Sequence, residues 1–319
     1  MTMAELATAP VVHAKGLTIH YGKQLALDGL DVSAPAGQIT ALLGRNGAGK
    51  TTLIRTIATL QTYSAGTLTV AGHEVKAQPQ RVRGSIGLAG QHAAVVPELT
   101  GWENLHLAGR LYGLTRREAR QAARRVVEEF DLTDFVDRRT STYSGGQRRR
   151  LDLAATFVLR PAVLLLDEPT TGLDPQSRRA LWETIGGLPQ GGTSVLLTTQ
   201  YLDEAQALAD HIAIIDQGRT VRVGTPGELR REAATTTLTV SANRQIAVTT
   251  AERIATRLDA AITQHRDHQL ILTGRFDLDT AHRAVIENDL PSDQITEFAL
   301  APPSLDDVFL TMTQKDTAL

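Results

Sequence analysis

The sequence predicts an α/β protein with a mostly parallel central sheet, preceded by antiparallel β structure, interrupted by a helical insert and followed by a small α+β unit. Three observations predict it. Gly44 to Thr52 (G-R-N-G-A-G-K-T-T) forms a glycine-rich turn between an apolar strand and an amphipathic helix. Beyond it, apolar strands alternate with helical runs as far as Asp216, the order that builds a parallel sheet. Near Arg230 this alternation breaks and a shorter mixed pattern follows.

Taken in order, Val11 to Ile19, Gln24 to Leu30 and Gln38 to Leu43 read as strands, separated by the turn signals Tyr21-Gly22 and Pro35-Ala36-Gly37. Lys50 to Leu60 reads as a helix, with Leu53, Ile54, Ile57 and Leu60 at helical spacing. Thr67 to Val70 and Ser85 to Leu88 are further short strands, the second leading into Gly90-Gln91. A helical insert, about 92–160, follows. Thr100-Gly101-Trp102-Glu103 and Thr115-Arg116-Arg117-Glu118 each have the S/T-x-x-E capping pattern before amphipathic runs that end near Tyr112 and Phe130. The second run carries five arginines (Arg116, Arg117, Arg120, Arg124, Arg125), but Glu118, Glu128 and Glu129 are interspersed, so it reads as a solvated or partner-facing surface.

Tyr143-Ser144-Gly145-Gly146-Gln147 then opens a helix containing Arg148, Arg149 and Arg150, and the apolar strand Val163 to Leu166 ends in Asp167-Glu168-Pro169. Ser194 to Thr199 and Ile212 to Asp216 are two more buried strands. The domain expectation is 1–230 and 231–319, with Arg231 to Thr237 as the linker. The second part reads as strand 237–241, helix 250–259, strands 261–265 and 270–273, helix 278–288 and strand 295–299. That βαββαβ order is ferredoxin-like. After Pro302-Pro303 an amphipathic helix over Ser304 to Met312 aligns Leu305, Val308, Phe309 and Met312, as a local lid or a docking element.

A chain of 319 residues exceeds the usual single-domain size and easily builds a large core. A net charge of only −2 leaves neither nucleic acid nor a membrane surface attracted by bulk charge. The absence of cysteine removes disulfides, thiolate metal sites and thiol nucleophiles. The N-terminal M-T-M-A-E-L-A-T-A-P lacks a basic region and an apolar core, so it is not expected to be an export signal. No apolar run approaches the roughly 20 residues a spanning helix needs.

Gly44 to Thr51 fits the phosphate-cradling pattern G-x-x-x-x-G-K-[ST] at every fixed position. Glycines at 44, 47 and 49 let the backbone turn its N–H groups inward, and the helix N-terminus adds its positive dipole end. Lys50 is placed to reach β- and γ-phosphates and the Thr51 hydroxyl to meet Mg²⁺. Asp167 and Glu168, after four apolar residues, supply one carboxylate to hold Mg²⁺ and one to orient and deprotonate an attacking water. An exposed Tyr21 is able to stack on an adenine ring, although a lone turn tyrosine is more often simple packing. His265 and His268 flank a turn with no helix to align them, and are not expected to bind metal.

At these residues, and over most of the first 230 positions, the sequence resembles the ATP-binding cassette (ABC) ATPases. Ser144-Gly145-Gly146-Gln147 resembles that family's signature motif, Gln91 its Q-loop glutamine, and Leu173-Asp174 within T-T-G-L-D-P its D-loop; Tyr21 falls at the family's adenine-stacking aromatic. The resemblance implies a P-loop NTPase fold of the ABC type and ATP and Mg²⁺ as ligands. Lys50, Thr51 and Thr52 would hold phosphate and metal, and Arg45, Asn46, Gly47, Ala48 and Gly49 would contribute mainly backbone contacts. Asp167 and Gln91 would support the metal, Gln91 also linking the site to a membrane partner, while Glu168 would activate water. It further implies a head-to-tail homodimer that sandwiches two ATP molecules, each signature gripping the phosphate held by the other subunit.

One position departs from the family. Gln200 stands where the switch-loop histidine is expected, and glutamine donates a hydrogen bond but cannot become cationic or shuttle a proton. The wording T-T-Q-Y-L-D-E-A and the tail Ser304-Leu305-Asp306-Asp307-Val308-Phe309-Leu310 are similar to the daunorubicin/doxorubicin-resistance branch of exporter ATPases. The resemblance thus implies an ATP-hydrolysing exporter subunit, cytoplasmic and peripheral on the inner face of the membrane. It would drive a separate membrane-spanning subunit that carries an amphiphilic compound such as an antibiotic or a lipid-like metabolite, with no nucleic-acid partner. The competing expectation, a soluble ABC ATPase remodelling a ribosome or DNA complex, usually has two cassettes or a long coiled coil. This chain has one cassette and no heptad run. A small-molecule P-loop kinase has no use for S-G-G-Q.

Overall fold

A computed structural model describes residues 10–91, 93–233, 236–288 and 290–301. The chain divides between Thr225 and Pro226 into two compact units. The expected helix over Ser304 to Met312 lies outside the described residues.

The first unit opens with β1 (Val12–Tyr21), β2 (Gln24–Ala34) and β3 (Ile39–Leu43), followed by α1 (Lys50–Ile57), β4 (Ala65–Val70), β5 (His73–Glu74), α2 (Pro79–Ser85) and β6 (Ile86–Ala89). Then come α3 (Gly101–Leu111), α4 (Arg116–Glu129), α5 (Gly145–Thr156), β7 (Val163–Asp167), α6 (Pro175–Gly187), β8 (Ser194–Thr199), α7 (Leu202–Leu208), β9 (His211–Asp216) and β10 (Arg219–Gly224). Strands β2-β1-β4-β5 form an antiparallel sheet. A six-stranded sheet runs β10-β9-β3-β8-β7-β6, parallel throughout except for β10.

Strands β3, β7 and β8 are buried along their whole length, as expected for strands covered on both faces. One apolar cluster joins the two sheets through α1: Leu17, Leu27 and Leu30 from the antiparallel sheet meet Leu53, Ile54 and Ile57 of the helix and Leu42, Leu165 and Leu196 of the parallel sheet. The helix ends at Ile57, short of the expected Leu60, because Thr59 turns left-handed (φ 63°) and Leu60 is exposed. Both expected capping boxes are present. Thr100 accepts from the Glu103 amide and Thr115 from the Glu118 amide, each glutamate reaching back to the cap amide.

In the second unit the stretch expected as linker instead belongs largely to α8 (Pro226–Ala233) and to the start of β11 (Thr236–Ala242). There follow α9 (Val248–Leu258), β12 (Ala261–Arg266), β13 (Gln269–Gly274), α10 (Leu278–Ile286) and β14 (Ile295–Ala301). The antiparallel order β12-β13-β11-β14 is that of a ferredoxin-like sheet. Alternate residues of β11 and β13 (Leu238, Val240, Leu270, Leu272) pack under Ala251, Ile254 and Val285 of the two helices. The His265 ring bonds the Ile246 carbonyl at 2.9 Å. Among the described residues no helix is long and apolar enough to cross a membrane.

Leu165, on the interior strand β7, is fully buried in that shared core. Leu165→Ala is expected to destabilise the first unit by about 2–5 kcal/mol in a denaturant titration, through lost burial and the cavity left behind. A loss under about 1 kcal/mol would show that the sheet is not packed as described.

Candidate active site

The parallel sheet brings its strand ends to one level. Leu43 pairs with Thr199, Leu42 with Thr198, and Asp167 with Thr198. Ala89 pairs with Leu166, so Gln91, exposed two residues beyond β6, follows at about the level of Glu168. The loop 44–49 leaves the same edge from β3. This is the carboxyl edge of the strands, where open α/β sheets bind ligands.

Close packing explains two of the loop glycines. A Cβ on Gly44 would lie 2.3 Å from the Ile215 carbonyl oxygen. One on Gly49 would lie 2.6 Å from Leu27 Cδ2 and 2.9 Å from the Ala26 oxygen, and Gly49 also has φ 106°. The Gly218 amide donates to the Ala48 carbonyl at 3.0 Å and closes the far side of the loop. Gly49 caps α1 without a side-chain hydrogen bond, so the first-turn amides of Lys50, Thr51 and Thr52 meet no capping side chain. A helix start of this kind presents N–H donors to an anion.

Lys50 is buried, and its ammonium donates to the Gly44 and Arg45 carbonyls at 2.7 and 3.0 Å. Glu168 Oε1 is 3.8 Å from Lys50 Nζ. Burial lowers the lysine pKa, partly offset by the Glu168 and Asp167 carboxylates. Asp167 Oδ1 accepts from Thr51 Oγ1 at 3.1 Å and from Thr198 Oγ1 at 2.7 Å. Thr198 also receives the Glu168 amide, on its hydroxyl at 2.9 Å and its carbonyl at 3.2 Å. Glu168 itself is left-handed (φ 48°), a strained conformation for a side chain of its length.

Lys50, Thr51, Asp167 and Glu168 are therefore brought together. A hydroxyl beside a carboxylate is a hard-oxygen donor pair, and it fits a Mg²⁺ ion. Gln200 follows β8 directly and is half-buried. Tyr21 ends β1 and is 44% exposed, so it lies in the strand and not in the turn that follows.

Ser144 caps α5 in a capping box with Gln147, whose side chain also accepts from Arg138 at 3.2 Å. Asp174 caps α6 and holds Ser177 through its amide at 2.9 Å and hydroxyl at 2.6 Å, which keeps the Asp174 carboxyl below its usual pKa. A Cβ on Gly146 would come within 2.4 Å of Ser177 Oγ, so the S-G-G-Q turn rests against the start of α6.

Sequence reasoning passed over three residues. Thr198 has no motif of its own, and only the β7–β8 pairing reveals it. Arg149, within a run of arginines, is buried and donates to the Pro169 carbonyl at 2.8 Å, to the Gly90 carbonyl and to Asp152 Oδ2 at 3.1 Å. Glu204 is buried and accepts from Thr170 Oγ1 at 2.7 Å and Trp182 Nε1 at 3.1 Å; burial raises its pKa. The available signal was spacing: Arg149 and Asp152 lie three apart on one helix.

Residues 27–171 match the family model described as ABC transporter. The chain is 44% identical over 307 residues to the "Daunorubicin resistance ATP-binding protein DrrA2" of Streptomyces coeruleorubidus, covering 95% of this chain and 94% of that protein. It is 40% identical to the "Doxorubicin resistance ATP-binding protein DrrA" of Mycobacterium tuberculosis, over 97% and 95% of the two chains. Among solved structures, an ATP-binding subunit of an ABC transporter aligns at TM-score 0.62 and 29% identity, over 70% of this chain and 92% of that one. Similarity along almost the whole length, together with a glycine loop, lysine and acidic pair converging on one sheet edge, establishes that the chain belongs to the ABC transporter family as an ATP-binding subunit.

Proposed function

We propose that this chain is the ATP-hydrolysing subunit of an exporter, a cytoplasmic protein peripheral to the membrane that drives a separate membrane-spanning subunit carrying an amphiphilic compound. The observation that carries the reading is the group Lys50, Thr51, Asp167 and Glu168 at the carboxyl edge of the sheet. The relatives named for daunorubicin and doxorubicin resistance support a drug-like or antibiotic cargo.

In this reading the loop amides and Lys50 bind the triphosphate of ATP. Thr51 and Asp167 would hold Mg²⁺, which when bound neutralises charge on the phosphates. Glu168 orients and deprotonates the attacking water, and Gln200 donates a hydrogen bond from the end of β8. Gln91, near the level of Glu168, links the site to the membrane subunit. Tyr21, exposed at the end of β1, stacks on the adenine ring. Ser144, Gly145 and Gly146 grip the phosphate of an ATP held by a second copy, so two copies close on two ATP molecules and open after hydrolysis.

Glu168→Gln is expected to lower ATP turnover by about 10² to 10⁴ while ATP binding persists, and to form a dimer in light scattering only with ATP. Near-normal turnover would remove Glu168 from the role of base. Gln200→His is expected to introduce a titration in turnover near pH 6.5, about the unperturbed histidine value, that the wild type lacks. Superimposable profiles would take residue 200 out of the site. Affinity purification from gently solubilised native membranes is expected to bring down a polytopic membrane protein in stoichiometric amount. Ribosomal or DNA-repair proteins in its place would overturn the exporter reading.

A further inference from the structure

We infer that Arg149 and Glu204 are positioning residues for Glu168, gripping from two sides the short strap Pro169–Thr170 that follows it. The inference rests on the reading of Glu168 as the hydrolytic base.

Glu168 sits in left-handed backbone, which persists only where the surroundings over-determine it. On its N-terminal side the Glu168 amide is fixed by Thr198. On its C-terminal side the next two residues are each held by a buried ionisable group. Arg149 Nε donates to the Pro169 carbonyl at 2.8 Å, and Thr170 Oγ1 donates to Glu204 Oε1 at 2.7 Å. Arg149 is 6% exposed, Glu204 1% and Thr170 not at all. A guanidinium and a carboxylate are costly to bury, and a packed apolar contact closes a loop at lower cost. What these groups supply in return is direction: the planar guanidinium fork and the shared carboxylate oxygen each fix a position that an apolar contact does not.

Each jaw is anchored to a different segment of the site. Arg149 lies on α5, one turn after the S-G-G-Q start, and its Nη1 also meets the Gly90 carbonyl, immediately before Gln91. Asp152 completes that arm by accepting from Arg149 Nη1 at 3.1 Å and from the Ala94 amide at 2.8 Å, so the segment on both sides of Gln91 is tied to the helix. Glu204 lies on α7, four residues after Gln200, and also accepts from Trp182 of α6, the helix that Asp174 caps. A displacement of α5 or α7 is therefore transmitted to the carboxylate of Glu168 through two hydrogen-bonded residues. Misplacing a reacting group by about 1 Å costs on the order of 10²-fold in rate.

The test uses the full-length protein and the double variant Arg149→Leu/Asp152→Asn, which removes both charges so that neither is left buried alone. Its melting temperature, its ATP dissociation constant and its kcat are measured beside wild type, Arg149→Lys and Thr170→Val. Expected are a folded double variant with ATP affinity within about threefold of wild type and kcat at least tenfold lower, partial recovery of kcat in Arg149→Lys, and a kcat loss without affinity loss in Thr170→Val. A merely structural role moves affinity and kcat together with stability. If the double variant does not fold, Thr170→Val carries the test, because it loosens the Glu204 jaw in a near-isosteric way. Wild-type kcat in every folded variant, or parallel loss of affinity and kcat, would overturn the inference. A wild-type protein that binds ATP without hydrolysing it would instead overturn the proposed function.

Discussion

A single carboxylate oxygen organises the first unit. Asp167 Oδ1 accepts the hydroxyls of Thr51 and Thr198, and so joins the first turn of α1, the end of β7 and the end of β8 at one buried point. A carboxylate removed from water is tolerated only when its lone pairs are occupied, and here the occupants come from two other segments. The register of β7 and β8 and the seat of α1 are thereby tied to the placement of a charge. A one-residue slip of β8 would point Thr198 to the other face of the sheet, away from Asp167.

The neighbouring charge follows from the same geometry. Lys50 is buried close to both carboxylates, with two backbone carbonyls as its nearest partners. Carbonyls satisfy ammonium protons without cancelling its charge, so the loop retains a positive centre where the first-turn amides also point. Burial opposes that charge and Asp167 and Glu168 sustain it. The constraint on the glycines is steric: Gly44 must pass the Ile215 carbonyl and Gly49 the Leu27 side chain, which presses the loop against β9 and β2. The core under α1 thus sets the shape of the glycine loop above it.

Much of this was legible in the sequence because it is local. Capping boxes at Thr100 and Thr115 encode helix starts within four residues, and the βαββαβ pattern of the second unit needs only alternation and turn signals. The glycine loop and the acidic pair carry their chemistry in consecutive positions. What escaped was non-local. β5, two residues long, and β10, whose side chains are half exposed, have too little apolar alternation to announce themselves. α2 is seven residues with one buried side chain, Val82. Thr198 gains its importance from a strand neighbour 31 residues away, and parallel pairing leaves no trace in spacing. Arg149 belongs to a run of three arginines, and nothing in the run distinguishes the one guanidinium that is buried.

The S-G-G-Q turn separates into constraints of different origin once its contacts are known. Ser144 and Gln147 are accounted for by capping, since each satisfies the other's amide at the start of α5. Gly146 is accounted for by packing: any Cβ there would strike Ser177, which Asp174 holds in place, so this glycine is required within the chain whether or not a ligand is present. Gly145 differs. The nearest atom to a Cβ built on it is Leu173 Cδ2 at 3.9 Å, an ordinary contact, and its backbone is not left-handed. Alanine would fit there as far as this chain is concerned, and would raise helix propensity at the first turn. A bare backbone at a helix start, without a cause in its own packing, is what close approach of an external group to the amides demands. Of the four residues, Gly145 is thus the one that capping and packing within this chain leave unaccounted for, which agrees with the proposed second copy and the phosphate it holds.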